Sequence, residues 1–255
     1  MRPGDKVSIN PRSDKSRKLR VTGLIKSILS RNANHPHGVL VELESGEIGR
    51  VKSGEKSNSK PHEETSRHET NIDLQNIAYL SEDQFLELKK DLLWSSSFKK
   101  SDIDAYRGSS KEVYKYGKVA SVYIIAQSIA AFLNSKGGNL ILGILENKET
   151  GVNEITGIEN DLSKLKDKTI DGYRRRITNL TKTYFPSFVH SNFADYITIE
   201  FPKLSNHTIC WIKIKPSPKQ VFLSINKEEQ FFLRIDAEKE MLSGTRLVEY
   251  IQTRF

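Results

Sequence analysis

Ala130-Ala131-Phe132-Leu133-Asn134-Ser135-Lys136-Gly137-Gly138, continuing directly into Asn139-Leu140-Ile141-Leu142-Gly143-Ile144-Leu145-Glu146, is the stretch that sets the fold class. The residues before Asn134 close an apolar pattern of helical period that begins at Lys118. After Gly138 that period breaks down: 139–145 is apolar except at Asn139 and Gly143, the pattern of a strand buried on both faces. A helix running straight into a buried strand is a unit of layered α/β structure, and glycine between them permits the tight turn. The two glycines do not read as a nucleotide-phosphate loop, because the chain contains no G-x-x-x-x-G-K-S/T string. That argues against an ATPase of P-loop type.

Helix and strand patterns continue on both sides. Ser81 followed by Gln84 has the form of a capping box and predicts a helix through Phe85, Leu88 and Leu92. Residues 162–184 read as a helix stopped by Phe185-Pro186, strands are expected at 196–201, 208–215, 220–224 and 230–235, and a last helix runs over 243–253. Residues 78–255 are thus expected to form one domain, a mixed sheet with flanking helices. Residues 1–53 differ: short runs such as Val7-Ser8-Ile9 and 38–43 are punctuated by turns, and Glu44-Ser45-Gly46-Glu47 joins two alternating runs as a hairpin would. That spacing predicts a small β-barrel. Between the two, 54–77 is nearly devoid of apolar residues and reads as a flexible polar linker, since it has too little to bury to offset the entropy of ordering.

The chain has 255 residues, with 36% hydrophobic and 28% charged, a globular composition. Its formal charge is +8, and residues 1–53 hold 11 Lys or Arg against 5 Asp or Glu, a net +6, so most of the excess lies in the presumptive barrel. A basic protein attracts polyanions, because neutralising phosphates releases condensed counterions. Nucleic acid is the expected partner. No apolar run approaches the roughly 20 residues that span a bilayer, and no segment reads as a signal peptide, so no membrane partner is expected. The single cysteine, Cys210, excludes an internal disulfide and a cysteine-cluster zinc site, and a reducing cytoplasm is the expected setting.

The segments Ser81-Glu82-Asp83-Gln84-Phe85-Leu86-Glu87-Leu88-Lys89, 130–138 and 139–146, with Ile214-Lys215-Pro216-Ser217 and Phe231-Phe232-Leu233-Arg234-Ile235, together resemble the Schlafen-AlbA family over 78–255. Some of its members are metal-dependent ribonucleases. The resemblance implies that Glu82, Glu87 and Glu146 are the positions that hold a divalent cation, Mg2+ or Mn2+, hard ions that prefer oxygen ligands and activate water beside a phosphodiester. It implies a catalytic group of Glu82, Glu87, Glu146 and Lys89, with Lys89 beside the carboxylates to steady transition-state charge. Two positions depart from the family pattern: Glu146 stands where the family has Asp, and Leu88 where it has an aromatic residue. Spacing alone places Glu82 and Glu87 about 140° apart on a helix and on opposite faces of a strand, so they converge only if the chain turns between them. Residues 1–53, through Arg2-Pro3-Gly4-Asp5-Lys6-Val7, His35-Pro36-His37-Gly38 and Gly46-Glu47-Ile48-Gly49-Arg50-Val51, resemble the small YwbE-like bacterial proteins, and their opening is similar to KOW-type SH3-like barrels that meet RNA.

A basic series, Arg174, Arg175, Lys182, Lys213, Lys215 and Arg234, with Tyr173, Tyr184 and Trp211 interleaved, is the candidate nucleic-acid-binding strip, in which Trp211 shares a strand face with Lys213 and Lys215 as its one stacking platform for a base. A solvated edge strand guarded by lysines explains part of it equally well. The expectation is a nucleic-acid-binding protein of two domains, a metal-dependent endoribonuclease acting on structured RNA such as transfer RNA. The alternative is a regulator or targeting module that grips DNA or RNA without cutting. Schlafen nucleases use two related lobes where this chain has one, so a homodimer is expected to supply the second.

Overall fold

The structure, a computed structural model, describes residues 3–14, 19–30, 38–51, 72, 74–147 and 150–255. His35 and His37 lie outside these residues. The chain divides into two compact units, one made of residues 1–81 and 147–153, the other of 82–146 and 154–255.

In the smaller unit, β1 (Lys6–Pro11), β2 (Val21–Ile28), β3 (Leu40–Leu43) and β4 (Ile48–Val51) close an antiparallel barrel in which β1 pairs with both β2 and β4. Alternation along the strands turns Val7, Ile9, Ile25, Val41 and Leu43 inward to make its core. The expected linker, 54–77, lies outside the described residues through 71 and at 73. Its end is ordered: Leu74–Tyr79 is a 3-10 helix with Ile77 fully buried, and the Asn153 side-chain amide donates to the carbonyls of Ile77 and Leu80 at 3.1 and 2.7 Å.

The larger unit carries two sheets. Its elements run β5 (Leu86–Lys89), α1 (Lys100–Ala105), α2 (Lys111–Tyr116), α3 (Ala120–Asn134), β6 (Gly138–Leu142), then a short ribbon of β7 (Ile144–Leu145) and β8 (Glu154–Ile155). There follow α4 (Glu159–Lys164), α5 (Ile170–Tyr184), α6 (Ser187–Ser191), α7 (Phe193–Tyr196), β9 (Ile197–Glu200) and the hairpin β10 (Lys203–Leu204) and β11 (His207–Thr208). Last come β12 (Cys210–Ile214), β13 (Phe222–Ile225), β14 (Glu228–Ile235), β15 (Glu238–Leu242) and α8 (Gly244–Arg254). One sheet has the order β5-β6-β12-β9, with β5 parallel to β6 and the other pairs antiparallel; the second is the meander β13-β14-β15. The mixed sheet with flanking helices and the small barrel are as expected.

The helix at 118–133 and the strand after it appear as α3 and β6, with every residue of α3 except Ile124 buried. Together with α2, the helical stretch Lys111–Asn134 is long and apolar enough for a membrane span by length and composition, yet most of it is buried as the core helix of this unit. The expected helix 162–184 is split, because the Thr169 hydroxyl accepts the Gly172 N–H at 3.0 Å and starts α5 afresh. The helix expected from Ser81 to Leu92 is absent, and β5 occupies its centre. Ser81 does not cap a helix: its hydroxyl accepts from the Arg50 guanidinium at 3.2 Å.

The segment 132–138 docks both sheets onto α3. Asn134 is fully buried; its Oδ1 accepts the Val221 N–H at 2.9 Å, and its Nδ2 donates to the carbonyls of Val221 and Phe232, each at 2.9 Å. At Gly138 an added Cβ would lie 2.4 Å from the Phe132 ring and 2.9 Å from the Phe85 carbonyl oxygen, and Gly137 has φ +74°. Asn134→Ala strands the Val221 and Phe232 backbone groups without partners and is expected to lower unfolding free energy by about 2–4 kcal/mol, read as a reduced urea midpoint.

Candidate functional site

Asp83 decides how the acidic residues meet. Its carboxylate accepts the Phe85 N–H at 2.7 Å, and its backbone pairs with Leu86 across a two-residue turn. The chain therefore reverses between Glu82 and Glu87, which is the condition that spacing set for their convergence. Leu86–Lys89 then pairs in parallel with β6, Glu87 opposite Leu140 and Lys89 opposite Leu142, so Glu87 and Lys89 share one face of the sheet. Glu82, folded back, accepts the Leu88 N–H at 2.9 Å.

Lys89 joins the two carboxylates. Its ammonium donates to Glu82 Oε1 at 3.1 Å and lies 2.9 Å from Glu87 Oε1, and its third contact is the Leu88 carbonyl at 2.9 Å. Three donors meet three acceptors. Glu87 also accepts from the Ser128 hydroxyl of α3 at 3.2 Å and, on its other oxygen, from the Arg234 guanidinium. Burial works against ionisation of Glu87, but Lys89 and Arg234 outweigh it and hold the carboxyl below its usual value. Burial pushes the Glu82 carboxyl up, with Glu87 adding to the rise and Lys89 opposing it. Burial alone would lower Lys89, but Glu87 and Glu82 turn the balance and raise it.

Arg234, expected on the nucleic-acid strip, is instead an internal clamp whose side chain is 2% exposed. Besides Glu87 it donates to the Asp83 carbonyl through Nε and Nη2 at 3.1 and 2.8 Å and to the Leu86 carbonyl at 2.8 Å. A guanidinium so enclosed has nothing left to offer a phosphate. Lys239 on β15 completes the charged group: its ammonium donates to the Ile124 carbonyl at 3.2 Å, and burial pushes it down to about 8.

Glu146 lies past β7, six residues along the chain from Leu140, the residue opposite Glu87, and beyond a bend at Gly143 where φ is +96°. The structure brings together Glu82, Glu87 and Lys89 and does not draw Glu146 into a ligand cage with them. Among the described residues no group of three His, Cys, Asp or Glu side chains could hold a metal ion. The two convergent carboxylates are already matched by Lys89 and Arg234, so this donor set does not fit a resident Mg2+ or Mn2+.

The remaining basic residues divide. Arg174, Arg175 and Lys182 are exposed on α5, Arg175 paired with Asp167 and Arg174 bonded to the Ile199 carbonyl at 3.0 Å with its guanidinium over Phe201. Lys213 is paired with Glu200 at 2.6 Å and sits over Trp211; Lys215 is exposed at the end of β12. Trp211 is no platform for a base, being 6% exposed with its indole N–H bonded to Asn139 Oδ1 at 2.8 Å. Tyr173 is fully buried on Asp161. Sequence reading passed over Ser128 and Lys239 and took Asp83 for a helix-face partner of Glu87; 238–242, Glu-Lys-Glu-Met-Leu, has no alternation to announce a strand, and its pairing with β14 is what places Lys239.

Residues 82–243 match the family described as Schlafen, AlbA_2, and residues 1–53 match one described as an uncharacterized conserved protein. No curated protein matches the chain. Among solved structures, a Corynebacterium diphtheriae protein aligns at 14% identity and TM-score 0.37 over 67% of this chain, which spans 24% of that protein's length. The N-terminal domain of a RecG-related protein from Nitrosomonas europaea aligns at 14% identity and TM-score 0.31, over 56% of this chain and 87% of that domain.

Two outcomes follow from the charged group. Arg234→Met leaves Glu87 buried with one counterion fewer and is expected to cost about 3–5 kcal/mol in a denaturant titration. Lys239 is harder to protonate in the folded chain than in the unfolded one, so its penalty is complete below pH 8 and fades as pH rises from about 8 towards 10.5. Lys239→Met is expected to raise stability at pH 7 and to flatten the gain that the parent shows between pH 7.5 and about 9.5, measured by urea unfolding.

Proposed function

Because the chain belongs to the Schlafen, AlbA_2 family, we propose that it is a nucleic-acid-binding protein that grips the backbone of structured RNA, such as transfer RNA, without a resident metal. The observation that carries this reading is the outer face of α5, where Arg174, Arg175, Arg176 and Lys182 stand exposed with Asp171 as the sole acidic residue of that helix. Lys215 adds a further exposed cation, and residues 1–53 carry a net +6 against +8 for the whole chain. Such a surface binds phosphates without reading sequence. A homodimer would double the surface and supply the second lobe; a monomer in light scattering at micromolar concentration removes that part.

One observation favours a second reading, an endoribonuclease using Mg2+ or Mn2+. Glu82 and Glu87 do converge on a single cation, the Lys89 ammonium, and Glu146 is the remaining position that the family pattern points to.

Incubation of the whole chain with labelled transfer RNA, with and without Mn2+, separates the two. Binding without cutting gives a salt-sensitive shift and intact RNA; cleavage that requires Mn2+ and is lost in both Glu82→Gln and Glu87→Gln supports the nuclease. Reversing Arg175 and Lys182 to Glu is expected to weaken binding to all sequences alike and to make the salt dependence shallower by roughly 1.5 in log–log slope. Unchanged affinity in that double variant excludes α5 as the contact surface.

A further inference from the structure

Three aromatic rings lie between β5 and α2 that neither the core nor the charged group uses. Trp94 and Phe98 have ring centroids 5.5 Å apart, Phe98 and Tyr106 stack at 5.6 Å with planes 23° apart, and Trp94 and Tyr106 are 6.4 Å apart. All three are partly open to solvent and stand outside the main hydrophobic core. Next to them on α2, Tyr114 is 47% exposed with the Arg107 guanidinium 5.0 Å from its ring centre.

The polar residues around these rings are mainly cationic. Lys90, Lys99 and Lys100 are exposed and make no ion pair among the described residues. Of the acidic neighbours, Asp102 accepts the Lys99 N–H at 2.6 Å at the start of α1, Asp104 lies 4.0 Å from Arg107, and Asp91 is half-buried beside Lys90 in the chain. A patch made for an apolar protein segment would present aliphatic side chains. This one presents flat π-faces edged by cations, which is what unpaired bases on a phosphate backbone require. A duplex keeps its bases stacked on each other and would meet only the lysines.

We propose that Trp94, Phe98 and Tyr106, with Lys90, Lys99 and Lys100, form a docking surface for single-stranded nucleic acid, on which unpaired bases stack. The inference rests on the nucleic-acid reading above and specifies it: the preferred ligand offers a loop, a bulge or an unpaired end. It also assigns the surface to a segment distinct from α5, so that one grips the backbone and the other holds exposed bases.

The chain has two tryptophans, and the other, Trp211, is buried, so a Trp211→Phe variant reports on Trp94 alone. In that background, a single-stranded oligouridylate is expected to quench Trp94 emission, whereas an RNA duplex of equal length bound to the chain leaves it unchanged. Tyr106→Ala and the exposed pair Lys99→Glu/Lys100→Glu are each expected to lower oligouridylate affinity about five- to hundredfold with little effect on duplex affinity. The lysine pair guards against misfolding of the ring variant, since neither side chain contributes to the core. Oligouridylate that binds without quenching Trp94, and with equal affinity to the lysine variant, overturns this surface while leaving the nucleic-acid reading intact; a protein-docking patch would give that result. Absence of binding to any nucleic acid overturns both.

Discussion

A buried guanidinium without partners carries a desolvation penalty of several kcal/mol, and Arg234 finds acceptors for all three of its nitrogens within a single turn of chain. The carbonyls of Asp83 and Leu86 and the carboxylate of Glu87 surround it, while the Phe132 ring lies 5.2 Å away on another side. Since those partners belong to the tight turn that leads into β5, the second strand from the C-terminal end, β14, fixes the conformation of the segment that opens the domain. Everything in the charged group follows from this. Glu87 is ionised because Arg234 and Lys89 are there, Lys89 keeps its proton because Glu82 and Glu87 are there, and Glu82 reaches them only because the turn that Arg234 holds reverses the chain.

Such a network has consequences for chemistry as well as stability. Two carboxylates facing each other at the edge of a sheet would ordinarily invite a divalent ion, but here an ammonium already spans them, with all its donors used. A metal would have to displace a cation that is itself raised in proton affinity by the same carboxylates, and Arg234 would remain to compete for Glu87. That opposition separates carboxylates that bind metal from carboxylates that bind protein, and it is why exposed cations elsewhere carry the functional reading. Lys239 is the exception within the group. Its charge is the one among the cations that the surroundings disfavour, so the balance of the group shifts with pH near 8.

How much of this was legible in the chain depended on whether local pattern and long-range pairing agreed. At 118–145 they did: apolar spacing changes from helical to continuous at a glycine pair, and α3 and β6 form where that change places them. At 81–92 they disagreed. Ser81, Gln84 and the i, i+4 pair Asp83 and Glu87 favour a helix, yet Asp83 spends its carboxylate on a turn, and Leu86–Lys89 gains a ladder with β6 some fifty residues on, which no local pattern announces. The six-residue helices α1 and α2 were unread because neither is long enough to display an apolar stripe. The site was partly legible. Family likeness pointed to Glu82, Glu87 and Lys89, which do meet, but it could not tell that Arg234 is enclosed, since a sequence shows a charge and not its burial. Trp211 failed for the same reason: alternation put it on a face with Lys213, correctly, without showing that Asn139 already holds its indole N–H.

The two kinds of cation in the larger unit therefore do different work, and burial is what sorts them. Arg234, Lys89 and Lys239 are held inside or at the rim of a group with fixed acceptors, where Arg234 and Lys89 contribute little to the external field because carboxylates lie within about 3 Å, and Lys239 is bound to the Ile124 carbonyl. Arg175, Arg176 and Lys182 stand on a helix whose apolar side is packed against the core through Tyr173, Ile177 and Leu180, which leaves the charged side facing solvent by simple periodicity. Asp167 offsets part of the Arg175 charge, but the field of Arg176 and Lys182 reaches about a Debye length, roughly 8–10 Å at physiological salt. A polyanion approaching the domain would sense the second set and not the first. The acidic pair can consequently be rebuilt by substitution without removing the attraction that brings nucleic acid to the surface, and charge reversals on α5 can remove that attraction without disturbing the turn at Asp83.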